Sequence, residues 1–310
     1  MRTVRGWRDL GPEDRGAAVA FGAFDGVHLG HQQVIDAAIQ AARAMGARSG
    51  VATFEPDPWR WFHPDDPPFL LTNSAQRGRV LAGMGVERLY LLDFDAQLAG
   101  LSAEDFARQV LADGLGVRQV VVGFDFRFGA GRTGDPELLE RLGRELGFGV
   151  TVAEAVTGPS GVKLSSTGAR EALEAGDPEA AAAILGRPFA IEGAVVQGRR
   201  LGRQLGFPTA NVELGDYVRP KLGIYATRTR LPDGRVLGGV SSIGMNPTVG
   251  EVEPRLEVWL FDFDEDLYGQ VIETELLHFL RPELKFDGLD PLIAQVMADA
   301  AEARRRLGLA

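Results

Sequence analysis

The chain has 310 residues, 45% of them hydrophobic, and a formal net charge of −10. That length can bury more than one core, while the negative balance excludes a general binder of nucleic acid or anionic membrane, which needs a basic field. Cysteine is absent, so disulfides, thiol chemistry and thiolate metal sites are excluded as well.

The N-terminal MRTVRGWRDLGPEDRG is charged and lacks the apolar stretch of a signal peptide. No run has the length of a membrane span, so the cytoplasm is the default location. AAVAFGAF (17–24) reads as a short buried strand. A helix over 30–45 follows, with Val34, Ile35, Ala38 and Ala42 on one face. SGVATFE reads as a strand, 74–85 as a helix and VERLYLLDF (86–94) as the next strand. Ser102 has the place of an N-cap before EDFARQVLADG, and VRQVVVGF (117–124) reads as another buried strand. A helix over 135–147 and a strand over 148–156 complete the alternation. Such alternation predicts an α/β domain, a parallel sheet with helices on both faces. Ligands of such sheets lie outside the carboxyl ends of the strands.

Beyond 171–189 the pattern changes to short runs punctuated by Gly and Pro: IEGAVVQG, IYATRTRL, RVLGGVSSIG and RLEVWLFDF. This predicts a small antiparallel β-barrel or sandwich. A terminal helix closes the chain, with Leu289, Leu292, Ile293, Val296, Met297 and Ala300 on its apolar face. The boundary falls at 184/185.

Two of the four histidines, His28 and His31, stand at the junction of the first strand and helix, around Gly30. A helix start at a strand end binds phosphate through backbone N–H groups and the positive helix terminus, and imidazoles there donate without adding negative charge. A metal site and a packing role are the alternatives; the zinc-protease pattern spaces its histidines differently. In KLSSTGAR, Ser165, Ser166 and Thr167 cluster at a helix start with Arg170 one turn on, either a cap or an anion cradle. GAGRTG (129–134) matches a dinucleotide fingerprint, yet FDFRF separates it from its strand, so a glycine-rich turn is the better reading. The only lysines are Lys163, Lys221 and Lys285, and none completes a Walker A loop. In GRRLGRQLGFPTANV, Gly198, Gly202 and Gly206 suit a phosphate-closing loop. Thr209 and Asn211 offer hard neutral oxygens for Mg²⁺; a surface loop is the bland alternative. Glu257 interrupts an apolar strand on the face of Trp259 and Phe261, where a half-buried carboxylate is a candidate general base. The run Asp262 to Asp266 reads as a solvated turn.

Taken together, FGAFDGVHLGH, VVGFDFRFGAGRTGD, LSSTGAR, GRQLGFPTANV, SSIGMNPTVG and FDFDEDLYG resemble, in order, the bacterial bifunctional riboflavin kinase/FAD synthetase family. The resemblance implies an FMN adenylyltransferase domain over 1–184 and a riboflavin kinase domain over 185–310, acting on ATP, riboflavin and FMN with Mg²⁺. By position in the motifs, His28, His31 and Glu257 would be catalytic. Gly22, Phe24, Gly26, Gly30, Ser165, Ser166, Thr167 and Arg170 would bind ATP or phosphate in the first domain, and Gly198, Gly202, Arg203 and Gly206 in the second. Flavin contacts would fall to Asp125, Phe126, Phe128 and Arg281, and the metal to Thr209 and Asn211. The chain departs from the pattern at Asp57, where the family commonly has histidine. One live domain only, or a flavin-binding regulator without turnover, are the other readings. Oligomeric state is not legible.

Overall fold

A computed structural model of the chain describes residues 1–154, 164–198, 206–245 and 254–309. The chain divides into two compact units, one of 1–66 with 74–164, the other of 67–73 with 165–310.

The first unit is a six-stranded parallel sheet in the order β1-β4-β3-β2-β5-β6. Its strands are β1 Arg2–Arg5, β2 Ala18–Phe21, β3 Ser49–Glu55, β4 Arg88–Asp93, β5 Gln119–Gly123 and β6 Gly149–Ala153. The central strands are almost continuously apolar because both faces are covered: all four residues of β2 are buried. Helix α1 (Leu29–Met45) lays Val34, Ile35, Ala38, Ile39 and Ala42 against the sheet and stops at Gly46, which takes the left-handed conformation that glycine tolerates. The helices α2 (Pro58–Phe62), α3 (Ser74–Gly83), α4 (Ala96–Ala99), α5 (Ala103–Asp105) and α6 (Pro136–Leu146) come next in chain order. Ser102 caps α5 as expected, its hydroxyl accepting from the Asp105 amide, but the predicted helix continues as a π-helix over Phe106–Leu115. β1, in which only Val4 is buried, offers no apolar run to read. Strand order reverses at β2, which has β3 on one side and β5 on the other; this is where an open α/β sheet holds its ligand.

The second unit contains α7 (Ser166–Ala175), α8 (Pro178–Leu185), a closed antiparallel barrel and the terminal helix α9 (Leu289–Arg306). The barrel runs β10-β11-β8-β7-β12-β9, from β7 Phe189–Val196, β8 Ala210–Glu213, β9 Gly223–Arg230, β10 Val236–Met245, β11 Pro254–Leu260 and β12 Val271–Arg281. Fully buried hydroxyls pair with each other, Thr227 with Ser241 at 2.8 Å and Thr229 with Thr274 at 3.0 Å, which satisfies these four desolvated oxygens. Residues 67–73 join this unit as a strap. Leu70 donates to the Asp216 carbonyl and accepts from the Val218 amide, and Asn73 donates to Glu192 at 3.0 Å. The expected apolar face of α9 is corrected: Ala300 and Ala303 are buried, whereas Leu289 and Met297 are exposed.

Candidate active sites

In the first unit β2 stops at Phe21 and α1 begins at Leu29, leaving a loop over the carboxyl end of the sheet. Phe24, Gly26 and Val27 all have positive φ, +53°, +78° and +41°. Glycine adopts this freely; a β-branched valine does so only where its surroundings force it. They do: the Gly22 amide donates to the Ala52 carbonyl, the Val27 amide to Phe24, and the Gln32 carboxamide to Val27 at 3.0 Å.

The loop delivers His28 as the N-cap of α1. Its Nδ1 accepts from the His31 amide at 3.2 Å. An accepting Nδ1 carries no proton, so the neutral ring holds its proton on Nε2 and presents that nitrogen as a donor. The two imidazoles stack with centroids 3.6 Å apart, and Phe24 meets His31 edge-on at 5.2 Å. A Cβ on Gly30 would fall 3.1 Å from the His28 ring and 3.3 Å from the Leu164 carbonyl, so glycine makes room for the stack. The pair is packed, with His28 buried and His31 half-buried. Phe24 is buried.

Asp57 accepts from the Trp59 amide at 2.8 Å and caps α2. After β5, Asp125 is exposed and Phe126 half-buried. The Phe128 ring stacks on Phe126 with centroids 5.6 Å apart and lies in the hydrophobic core. GAGRTG forms a tight turn with Gly129, Gly131 and Arg132 at positive φ, and Gly134 lies against the Phe128 ring, so it is no dinucleotide loop. Ser165 to Arg170 belong to the second unit. The Ser165 hydroxyl is the N-cap of α7, accepting from Gly168 at 3.1 Å. Ser166 is half-buried and Thr167 exposed in the first turn. Arg170 donates through Nε to the Phe69 carbonyl at 2.7 Å and stacks over that ring, which ties it to the strap.

In the barrel, β8 and β11 are neighbours in a register that sets Asn211 opposite Glu257, and β10 sets Ser242 on the other side of Glu257. Paired residues of antiparallel strands share a face, so the two candidate residues stand together although 45 positions separate them in GFPTANV and RLEVWLF. The PTAN stretch, read as a loop, is thus partly a strand. Glu257 lines a cavity of about 320 Å³ with Trp259, Arg281 and Asp299. Arg281 is held by Asp299 in a two-pronged ion pair, Nη2 to Oδ2 at 2.6 Å and Nε to Oδ1 at 2.9 Å. Thr209 lines this cavity and also a smaller one of about 170 Å³ walled by Asp264, Glu265, Asp266 and Tyr268. The acidic run is therefore part of a wall rather than only a solvated turn. Asn211 is buried, and its Oδ1 has no hydrogen-bond partner among the described residues. A Cβ on Gly198 would stand 2.5–2.7 Å from that carboxamide, so any larger residue there must displace it. Gly206 has φ +91°, and a Cβ there would meet no atom within 4 Å among the described residues. Gly202 and Arg203 lie outside the described residues.

Residues 11–168 match the FAD synthetase family model, and residues 185–307 the riboflavin kinase model. The chain is 42% identical to the bifunctional riboflavin kinase/FMN adenylyltransferase of Pseudomonas fluorescens, over 98% of its own length and 97% of that protein's. The chain belongs to the bifunctional riboflavin kinase/FMN adenylyltransferase family. Other members of the family are the Escherichia coli K12 protein, 40% identical over 100% of this chain and 99% of that one, and the Bacillus subtilis protein, 38% identical over 94% and 93%. A solved structure described as a macrolide-efflux protein from Streptococcus pneumoniae shares the fold, with TM-score 0.86 and 34% identity over 98% of both chains. Among the described residues, no helix is long and apolar enough to cross a membrane.

Asp299 was not legible as a partner of the family's barrel cavity, since nothing in a helical pattern marks which polar residue turns inward. A fully buried hydroxyl, Thr53, and a buried cation, Arg77, also escaped the sequence reading of the first site. Thr53 had a signal: it is the polar residue between Val51, Ala52 and Phe54 in an otherwise apolar strand.

Proposed function

We propose that the chain makes FMN from riboflavin and ATP at the barrel, and FAD plus pyrophosphate from FMN and a second ATP at the carboxyl end of the parallel sheet. The working division is 1–184 and 185–310, and the cytoplasm, where ATP is abundant, is the place of action. The observation that carries the kinase reading is the strand register that joins Asn211 to Glu257 beside a cavity shared with Thr209. Glu257 takes the proton of the riboflavin 5′-hydroxyl as that oxygen attacks the γ-phosphate, whose bond to the bridging oxygen breaks to release ADP. Thr209 and Asn211 would hold Mg²⁺; the unpartnered Oδ1 of Asn211 is a hard neutral oxygen of the kind this ion takes. When bound, the ion neutralises phosphate charge.

At the other site the FMN phosphate attacks the α-phosphate of ATP. It needs no base, because a phosphomonoester with a second pKa of about 6 is already ionised at neutral pH. His28, through Nε2–H, and the amides at the start of α1 stabilise charge on the phosphates.

Product chromatography after incubation with ATP and Mg²⁺, with riboflavin in one tube and FMN in another, tests the reading. FMN and then FAD from the first, and FAD from the second, are the expected products; FMN without FAD would leave only the kinase. Two substitutions probe the barrel site further. Asn211→Leu is expected to raise the Mg²⁺ concentration needed for half-maximal riboflavin phosphorylation at least about tenfold, a loss of roughly 1.4 kcal/mol in ion binding, as read from a metal titration. Gly198→Ala is expected to push the Asn211 carboxamide aside and give the same shift, with FAD formation from supplied FMN unchanged.

A further inference from the structure

The turn that carries His28 is held from beneath by two residues, Thr53 and Arg77, that lie outside FGAFDGVHLGH and LSSTGAR. The Ala23 carbonyl, which opens the turn, accepts a hydrogen bond from the Thr53 hydroxyl at 2.8 Å and a longer one from Arg77 Nη1 at 3.4 Å. Thr53 is fully buried in β3, where a hydroxyl is costly unless it bonds. Arg77, on α3, is 5% exposed, and its Nε has no partner among the described residues. Burial pushes the Arg77 guanidinium below the usual arginine range, against the pull of Asp25, Asp57 and Glu55. One of those acids, Asp25, sits inside the turn itself. A strained conformation with two side-chain-bearing residues at positive φ persists only while its surroundings over-determine it.

We propose that Thr53 and Arg77 are positioning residues for adenylyl transfer: they fix the Ala23 carbonyl, and through it the strained turn that aims His28. Neither residue needs to touch substrate. The inference rests on the reading of His28 as a phosphate-contacting group.

The test uses the full chain with FMN, ATP and Mg²⁺, and measures kcat and KM by FAD formation for Thr53→Val, Thr53→Ser and His28→Ala, with riboflavin phosphorylation as an internal control. Valine keeps the shape and removes the hydroxyl. Its kcat is expected to fall about 10- to 100-fold, the scale of a small misplacement of reacting groups. KM for ATP should move little and kinase turnover not at all, and serine should restore most of kcat. A wild-type kcat in Thr53→Val, or a serine variant as impaired as the valine one, overturns the role of the hydroxyl. Loss in His28→Ala alongside a wild-type Thr53→Val sinks the proposal alone; a wild-type rate in His28→Ala sinks the site reading with it. If Thr53→Val does not fold, as judged by thermal unfolding, Arg77→Lys decides. It keeps the charge and loses the fork, so a reduced kcat supports the clamp and an unchanged one overturns it.

Discussion

Glu257→Gln is expected to lower riboflavin phosphorylation by about 10²–10⁴-fold, the usual range for a positioned general base, while FAD formation from supplied FMN stays at its wild-type rate. The substitution is close to isosteric, so the cavity beside Trp259 keeps its shape and KM for riboflavin should stay put. What is lost is the acceptor for the hydroxyl proton. The two flanking strands make the test clean. Ser242 and Asn211 sit in register on either side and hold β11 in place whether residue 257 is charged or not. Initial rates of FMN formation at saturating ATP would read the effect. A kinase rate within about threefold of wild type would falsify the base assignment and leave Glu257 a structural carboxylate.

The second large effect is expected at His28, and it has two separable parts. Removing the ring in His28→Ala deletes a helix cap, worth about 1 kcal/mol of stability, and a donor to the phosphates, worth about 10²–10³ in rate if it resembles other such donors. His28→Asn divides them. Asparagine is a good N-cap and can still accept from the His31 amide, but it does not extend a donor where Nε2 stands. The expected outcome is near-native thermal stability for the asparagine variant, with adenylylation as depressed as in the alanine variant and kinase turnover intact in both. An active asparagine variant would reduce His28 to a cap.

Much of the fold could be read from the chain because it is written in local patterns. The buried strands of the parallel sheet are apolar runs, and α1 declares itself by Val34, Ile35, Ala38 and Ala42. What was not legible depends on long-range pairing or on conformation. β1 hides because one residue in four faces inward. The six-residue apolar stripe of α9 promised more burial than the helix has, since periodicity reports which residues share a face and not what covers them; Leu289 and Met297 face outward. At the sites, residue types pointed to the chemistry but not to its arrangement. HLGH suggested two imidazoles at a helix start; that one nitrogen of His28 is spent as a cap, fixing the other as donor, follows only from the folded turn. The register that joins Asn211 to Glu257 and the Thr53 hydroxyl under Ala23 are tertiary facts of the same kind.

The strap has a consequence for how the gene could be divided. Residues 67–73 and the first residues of α7 are encoded within the span that matches FAD synthetase, yet fold with the barrel that matches riboflavin kinase. A fragment beginning at 185 would lose the Leu70 backbone partners of Asp216 and Val218 and the Asn73 amide on Glu192. No single break in the reading frame yields both units whole, because the polypeptide passes between them three times, at 66/67, 73/74 and 164/165. Splitting the two activities into independent genes would therefore require the kinase half to replace what it borrows. Fusion in this chain is a matter of shared architecture as well as shared expression.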